Sequence, residues 1–234
     1  MVKQSEPSSP SLPEHLEPKT LGRLLDEDRF SECVLGGSLL HQSAAHIEID
    51  QCRVLNAELT SSQLPHLRIT DGVVENCDLS GTVLEQSTMI RVLLRDCRMS
   101  GPEMAQSSFR DVVFSDCRLD NANFRMCDFE RVTFESADLR MADFYGSKLV
   151  ACRFFDCNLT GVDFSNAQMG GSRLHGSRLE EIKGVDALRG VVIDSTQVLP
   201  LGAQLLGTMA ITVDDQREAE QPGRTGKRSR SSRD

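Results

Sequence analysis

From Val54 to Leu179 every fifth residue of this chain is large and apolar, 26 positions in unbroken succession. The series begins with Val54, Leu59, Leu64, Ile69 and Val74. It later passes through Phe109, Phe114, Phe124, Phe129, Phe134, Phe144, Phe154 and Phe164. With 39% of residues hydrophobic, a chosen register would do this by chance with odds on the order of 10⁻¹¹. A second column lies two residues before each of these. It is uncharged and mostly small, and it includes Cys77, Cys97, Cys117 and Cys157. The other three positions of each five carry almost all the charge.

A period of five excludes the two ordinary elements. An α-helix repeats every 3.6 residues, so a five-residue step would spiral around its surface. A flat strand alternates every two. A coil that turns a corner every five residues satisfies the pattern, with two inward side chains per side, two apart as in a strand. Four sides close a square coil of twenty residues, and stacked coils lie about 4.8 Å apart. Residues 30–179 supply about 7.5 such coils, a rod of roughly 36 Å. The twenty-residue period then stacks Phe114, Phe134 and Phe154 in one column and Phe124, Phe144 and Phe164 in another. Val92, Val112, Val132 and Cys152 form a column in the small slot. Scarce aromatics (ten Phe, one Tyr, no Trp) suit an interior of many small, equivalent slots.

Upstream of Val54 the frame is less regular. Phe30, Leu35 and Leu40, with Cys33 in the small slot, fit a frame displaced by one residue. A slip between about Ala45 and Ile49 would reconcile the two frames.

The stretches ESADLRMADF (residues 135–144) and NCDLSGTVL (residues 76–84) resemble the A(D/N)LXX consensus of the pentapeptide-repeat family. The resemblance covers about two-thirds of the chain. It implies an all-β fold: a right-handed quadrilateral parallel β-helix with short helical caps. Open ends of such a rod expose unpaired backbone and need covering. The expected organisation is a disordered tail over residues 1–19, a cap helix over 20–29, the repeat over 30–179, a C-terminal cap over 180–215 and a disordered basic tail over 216–234. Leu21, Leu24 and Leu25 would form the apolar face of the first cap. In the second, Ser195 or Thr196 would cap a helix from Leu199 to about Leu206, with a strand over Ile211–Val213. That helix, apolar on nearly every side, would seal the last coil or form a homodimer contact, as the C-terminal ends of some relatives do.

Chemistry is sparse. The cysteines sit in the small inward slot and read as core residues, not as disulfides or metal ligands. His15, His41, His46, His66 and His175 share no metal-ligand spacing. Phosphate-loop, nucleophile-elbow and dinucleotide motifs are missing from the sequence. A filled β-helix offers no cleft, so the expectation is a non-enzyme with no catalytic residues, no metal and no cofactor. No apolar run is long enough to span a membrane and no leader is visible, which gives the cytoplasm as the expected compartment.

The body of the rod is acidic, net −6 over residues 30–179, and the last 19 residues are basic, net +3. The reading is a rigid interaction scaffold whose partner is a protein. The alternative follows from the resemblance: quinolone-resistance and gyrase-inhibiting members of the family resemble B-form DNA and bind topoisomerase in its place. The acids that would form such a surface are Asp116, Asp128, Asp138, Asp143, Asp156 and Asp163, with Asp96 extending the row of Asp116 and Asp156. Interspersed arginines, among them Arg98, Arg118, Arg125 and Arg140, would cancel part of that field. Weak contact with nucleic acid would come only through the tail, which holds six bases and no aromatic.

Overall fold

The computed structural model describes residues 6–211. They form a parallel β-solenoid of about seven turns with one short α-helix. The turn of the coil is visible in the backbone. At each corner the residue two places after the large apolar one takes a left-handed conformation, as at Asn56 (φ 52), Asn76 (φ 54), Asp96 (φ 52) and Asp116 (φ 54). Asn and Asp tolerate this region better than most side chains, and glycine adopts it freely at Gly101 and Gly161. Between corners the chain is extended. Each side pairs in parallel with the side twenty residues later, as in Ile69↔Met89, Val74↔Leu94 and Phe114↔Phe134.

All 26 large apolar positions from Val54 to Leu179 are buried. Phe114, Phe134 and Phe154 stack with ring centroids 4.9 Å apart at each step and planes within 9°. Phe124 and Phe144 stack at 4.9 Å, and Phe144 and Phe164 at 5.4 Å. Phe109 and Phe129 form a third pile at 4.8 Å. Rings of different piles meet edge to face, as Phe134 and Phe144 do at 89°. Both arrangements suit the aromatic quadrupole, and each buried Phe adds about 1.5–3 kcal/mol from area alone. The N-terminal coils hold Leu, Ile, Val and Met in place of Phe. Four such side chains do not reach the axis, and a wholly apolar cavity of about 50 Å³ remains there, bordered by Leu64, Ile69, Leu84, Met89 and Leu94.

The small slot has a chemical reason for its composition. Most of its hydroxyls and thiols donate to the carbonyl of the large residue in the preceding coil, whereas Thr82 donates to Leu79 O of its own coil. Ser147 Oγ donates to Phe124 O at 2.6 Å, Ser177 Oγ to Phe154 O at 3.0 Å and Cys127 Sγ to Met104 O at 3.0 Å. Ser, Cys and Ala therefore interchange there by size, and Ser and Cys add a hydrogen bond.

The irregular start differs from the expectation. The register shifts between Leu35 and Gly37, two sides earlier than the Ala45–Ile49 region. Leu39 is buried and Leu40 is 47% exposed, so Leu39 is the inward residue. Gly37, at φ 135, takes up the missing residue in a conformation open to glycine alone.

No helix forms over residues 20–29. Glu17–Thr20 is a strand that pairs in parallel with Cys33–Gly36. Leu21 and Leu24 then fold over the core, while Leu25 stays 55% exposed. A strand satisfies the open edge of the first coil directly, which a helix, with its hydrogen bonds turned inward, could not do. Residues 6–16, expected to be disordered, run along one face of the rod.

At the other end, Asp194 opens a capping box with Gln197, and the helix Val198–Thr208 follows. Leu201 is buried, but the seal is polar. Gln197 Nε2 donates to Leu174 O and Ser177 O, and Gln204 Nε2 donates to Leu179 O. The two glutamines thereby occupy backbone carbonyls that the missing next coil would have used. Val198, Leu199 and Met209 point outward, Leu199 at 83% exposure. Ile211 is not in a strand; residues 212–213 and the expected basic tail lie outside the described residues.

Candidate functional site

With the inward slots filled, function rests on the three outward positions of each five. The position just before the large apolar residue favours Asp or Asn for a structural reason. Its side chain accepts the backbone N–H two residues on: Tyr145 N to Asp143 Oδ1 at 2.8 Å, Ser165 N to Asp163 Oδ1 at 2.8 Å and Thr160 N to Asn158 Oδ1 at 3.2 Å. These Asx-type contacts support the turn. Asp138 adds an ion pair, with Arg140 Nη2 at 2.7 Å, and the hydrogen bonds from Arg140 hold its carboxyl below the usual range.

The expected partner-facing acids divide accordingly. Asp138, Asp143 and Asp163 brace the turns. Asp143 also pairs with Arg125 at 2.8 Å, and Asp128 pairs with Lys148 at 3.1 Å. Among the described residues, Asp116 and Asp156 carry no ion pair; Asp116 accepts only the neighbouring Ser115 hydroxyl at 2.8 Å. They belong to the corner column Asn56, Asn76, Asp96, Asp116, Ser136 and Asp156. Beside its first four members runs a mixed column of Glu58, Asp78, Arg98 and Arg118, and the two columns flank a shallow open groove. The six acids thus do not form one negative face.

A different corner column brings opposite charges into register. Gln51, Asp71, Arg91, Asp111 and Arg131 succeed one another at one-coil intervals. Arg91 grips Asp71 with two parallel bonds, Nε–Oδ1 at 2.7 Å and Nη2–Oδ2 at 2.5 Å. Arg131 grips Asp111 in the same way at 2.8 and 2.9 Å and also contacts Glu130. Both aspartates are buried, and the arginine hydrogen bonds hold their carboxyls below the ordinary range. Residues 6–16 lie on this column. Ser8 N donates to Asp111 Oδ1 at 3.1 Å, Ser11 N to Asp71 Oδ1 at 3.0 Å, and Gln51 Nε2 to Ser11 O at 3.3 Å. From the sequence, Asp111 counted among the outward acids and Arg91 and Arg131 among the interspersed arginines, but Asp71 and the column that joins the four were missed. Their signal was present as Asp and Arg alternating at twenty-residue spacing.

The remaining reactive side chains are occupied by packing. All eight cysteines are free and buried. Burial pushes the thiols of Cys127, Cys152 and Cys157 up to about 12, far from a reactive thiolate. Cys33 and Cys52 come closest together, Sγ to Sγ 3.5 Å, well beyond a disulfide bond length. His46 and His66 stack at 4.5 Å. Among the described residues no group of three His, Cys, Asp or Glu side chains could hold a metal ion. No helix there is long and apolar enough to cross a membrane.

Comparison with known proteins follows the repeat. Residues 87–164 match the family described as Pentapeptide repeat region, and residues 152–182 match Pentapeptide repeats (8 copies). No curated protein sequence matches the chain at a significant level. Among solved structures, the chain is similar to a trypsin-treated form of QnrB1, a plasmid-mediated fluoroquinolone resistance protein. Identity is 17%, coverage is 86% of this chain and 100% of that one, and the TM-score is 0.35. It is also similar to HetL, a pentapeptide repeat protein involved in heterocyst differentiation regulation from the cyanobacterium Nostoc. There identity is 16%, coverage is 73% and 91%, and the TM-score is 0.30. Residues 87–182 thus match pentapeptide-repeat families, and the same repeat with its buried columns runs from Val54 to Leu179.

Proposed function

We propose that this chain is a non-enzymatic scaffold that presents fixed columns of side chains to a protein partner. One observation carries the reading: the shaft is packed, and polar side chains are displayed outward at a constant pitch instead of converging on a cleft. Rigid display lowers the ordering cost of binding. The corner row of Asp96, Asp116 and Asp156, unpaired with cations, is the part of the surface best suited to a basic partner. The exposed apolar residues Val198, Leu199 and Met209 suit self-association through the C-terminal helix.

Affinity capture with the wild-type rod and with Asp96→Arg/Asp116→Arg tests the reading. A partner retained by the first and lost by the second is expected. Retention of the same proteins by both, or of none by the wild type, would overturn it. A topoisomerase directed by DNA mimicry is the rival partner, supported by the same row but opposed by the ion pairs at Asp128, Asp138 and Asp143. Inhibition of gyrase supercoiling at micromolar protein, abolished by the double substitution, would decide for it.

A further inference from the structure

The segment lying on the Asp71–Arg91–Asp111–Arg131 column reads Glu6-Pro-Ser-Ser-Pro-Ser-Leu-Pro-Glu-His-Leu16. Its prolines fall at 7, 10 and 13. These three residues and Leu16 are partly buried, as is Leu12 off that period, while Ser8, Ser11 and Glu14 are exposed. A threefold period of burial is the signature of a polyproline II helix, which has three residues per turn and rises about 3.1 Å per residue. Three residues therefore advance about 9.3 Å. Asp71 and Asp111 are two coils apart, about 9.6 Å at the usual strand spacing. The two periods coincide to within a few tenths of an ångström. That is why Ser8 and Ser11, three residues apart, both aim their N–H groups at a carboxylate oxygen.

Three features make this column a site and not merely a place where the chain rests. The carboxylates are pre-oriented, since each is clamped by two parallel bonds from an arginine. One oxygen of each carboxylate still accepts a donor from outside the rod. The recognised groups are main-chain N–H groups, so the column reads backbone conformation and spacing, not the identity of the serines.

We propose that the Asp71–Arg91–Asp111–Arg131 column is a binding site for an extended, proline- and serine-rich peptide in the polyproline II conformation. The chain's own residues 6–16 occupy it in cis, and a partner protein's segment of the same chemistry takes their place. The inference is independent of the acidic row discussed above. A tethered occupant acts at an effective concentration on the order of millimolar, so a partner segment succeeds only when it binds more tightly or when the resident segment is withdrawn.

The test removes the two donors and keeps the helix type. In full-length Ser8→Pro/Ser11→Pro each new proline lacks an N–H yet favours the same backbone conformation. Release is read by cleavage after Glu14 with a glutamate-specific protease, expected at least tenfold faster than in the wild type. A fluorescein-labelled synthetic peptide of residues 6–16 is then titrated by anisotropy. It should bind the double-proline variant, bind the wild type at least tenfold more weakly, and be lost when Asp71→Ala/Asp111→Ala is added. Thermal melts of that quadruple variant confirm the fold. Unchanged protection of Glu14, failure of the peptide to bind the released variant, or equal binding by wild type and variant would each overturn the proposal.

Discussion

The two halves of the rod share one backbone geometry and differ in what fills it. Between Phe109 and Phe164, eight rings pile up and lock edge to face with their neighbours. Between Val54 and Met99 the same slots hold aliphatic residues and methionines, and an apolar void remains on the axis. The backbone differs too. The eight-residue strands Arg68–Glu75, Thr88–Arg95 and Ser108–Ser115 continue through a corner, the last of them at the start of the aromatic half, and beyond it the strands shrink to three residues, as in Asp128–Glu130 and Thr133–Glu135. Strand pairing and ring packing thus divide the work of cohesion unequally along the axis. The lattice needs large apolar residues at its period, and which ones they are sets how tightly each coil is filled.

The largest effect should come from Phe134→Asp, which places an unpaired charge between two stacked rings. It should remove more than about 4 kcal/mol and abolish the cooperative melt of the aromatic half by circular dichroism. Smaller truncations grade the contrast: Phe134→Ala should cost about 4 kcal/mol and Leu84→Ala about 2–3 kcal/mol in chemical denaturation. Equal losses would mean that the two interiors are equally filled. Overpacking separates them more sharply. Leu139→Phe should cost about 1–3 kcal/mol, because no space is open near Phe134 and Phe144. Leu84→Phe, directed at the void, should be neutral or raise the melting temperature. The smallest effect belongs to acid. The folded pKa values of Asp71 and Asp111 lie below their ordinary value of 3.8, so their contribution is complete above about pH 4 and fades as pH falls further. The amide resonances of Ser8 and Ser11 should stay constant from neutral pH to about pH 4.5 and move only below pH 4. A midpoint at or above the ordinary carboxylate value would show that the clamps are not formed.

The coil was legible in the sequence because a period of five at both the large and the small slot leaves no other way to bury both sets. The aromatic piles follow from the twenty-residue spacing of Phe114, Phe134 and Phe154. What escaped was local. The slip at Gly37 gave no hydrophobic warning, since Leu39 and Leu40 are adjacent and either could point inward. The polar seal by Gln197 and Gln204 was hidden inside a segment read for its leucines. The outward acids looked alike, yet Asp138, Asp143 and Asp163 stand at the turn-bracing position and Asp116 and Asp156 at the corner, a distinction fixed by which backbone N–H lies within reach. The prolines at 7, 10 and 13 suggested disorder by composition, although their spacing of three matches twice the coil pitch.

The left-handed corners carry a consequence for how such a chain tolerates change. Proline, confined to negative φ, is barred from every one of them. A lost or gained residue shifts all later inward columns unless a glycine such as Gly37 absorbs it. Outside those prohibitions and the two filled slots, the lattice asks for little beyond the Asx braces. Substitutions can therefore rewrite the outer columns one character at a time while the ruler beneath them keeps its gradations. Two such rods could meet wholly unrelated partners and still superimpose along their axes.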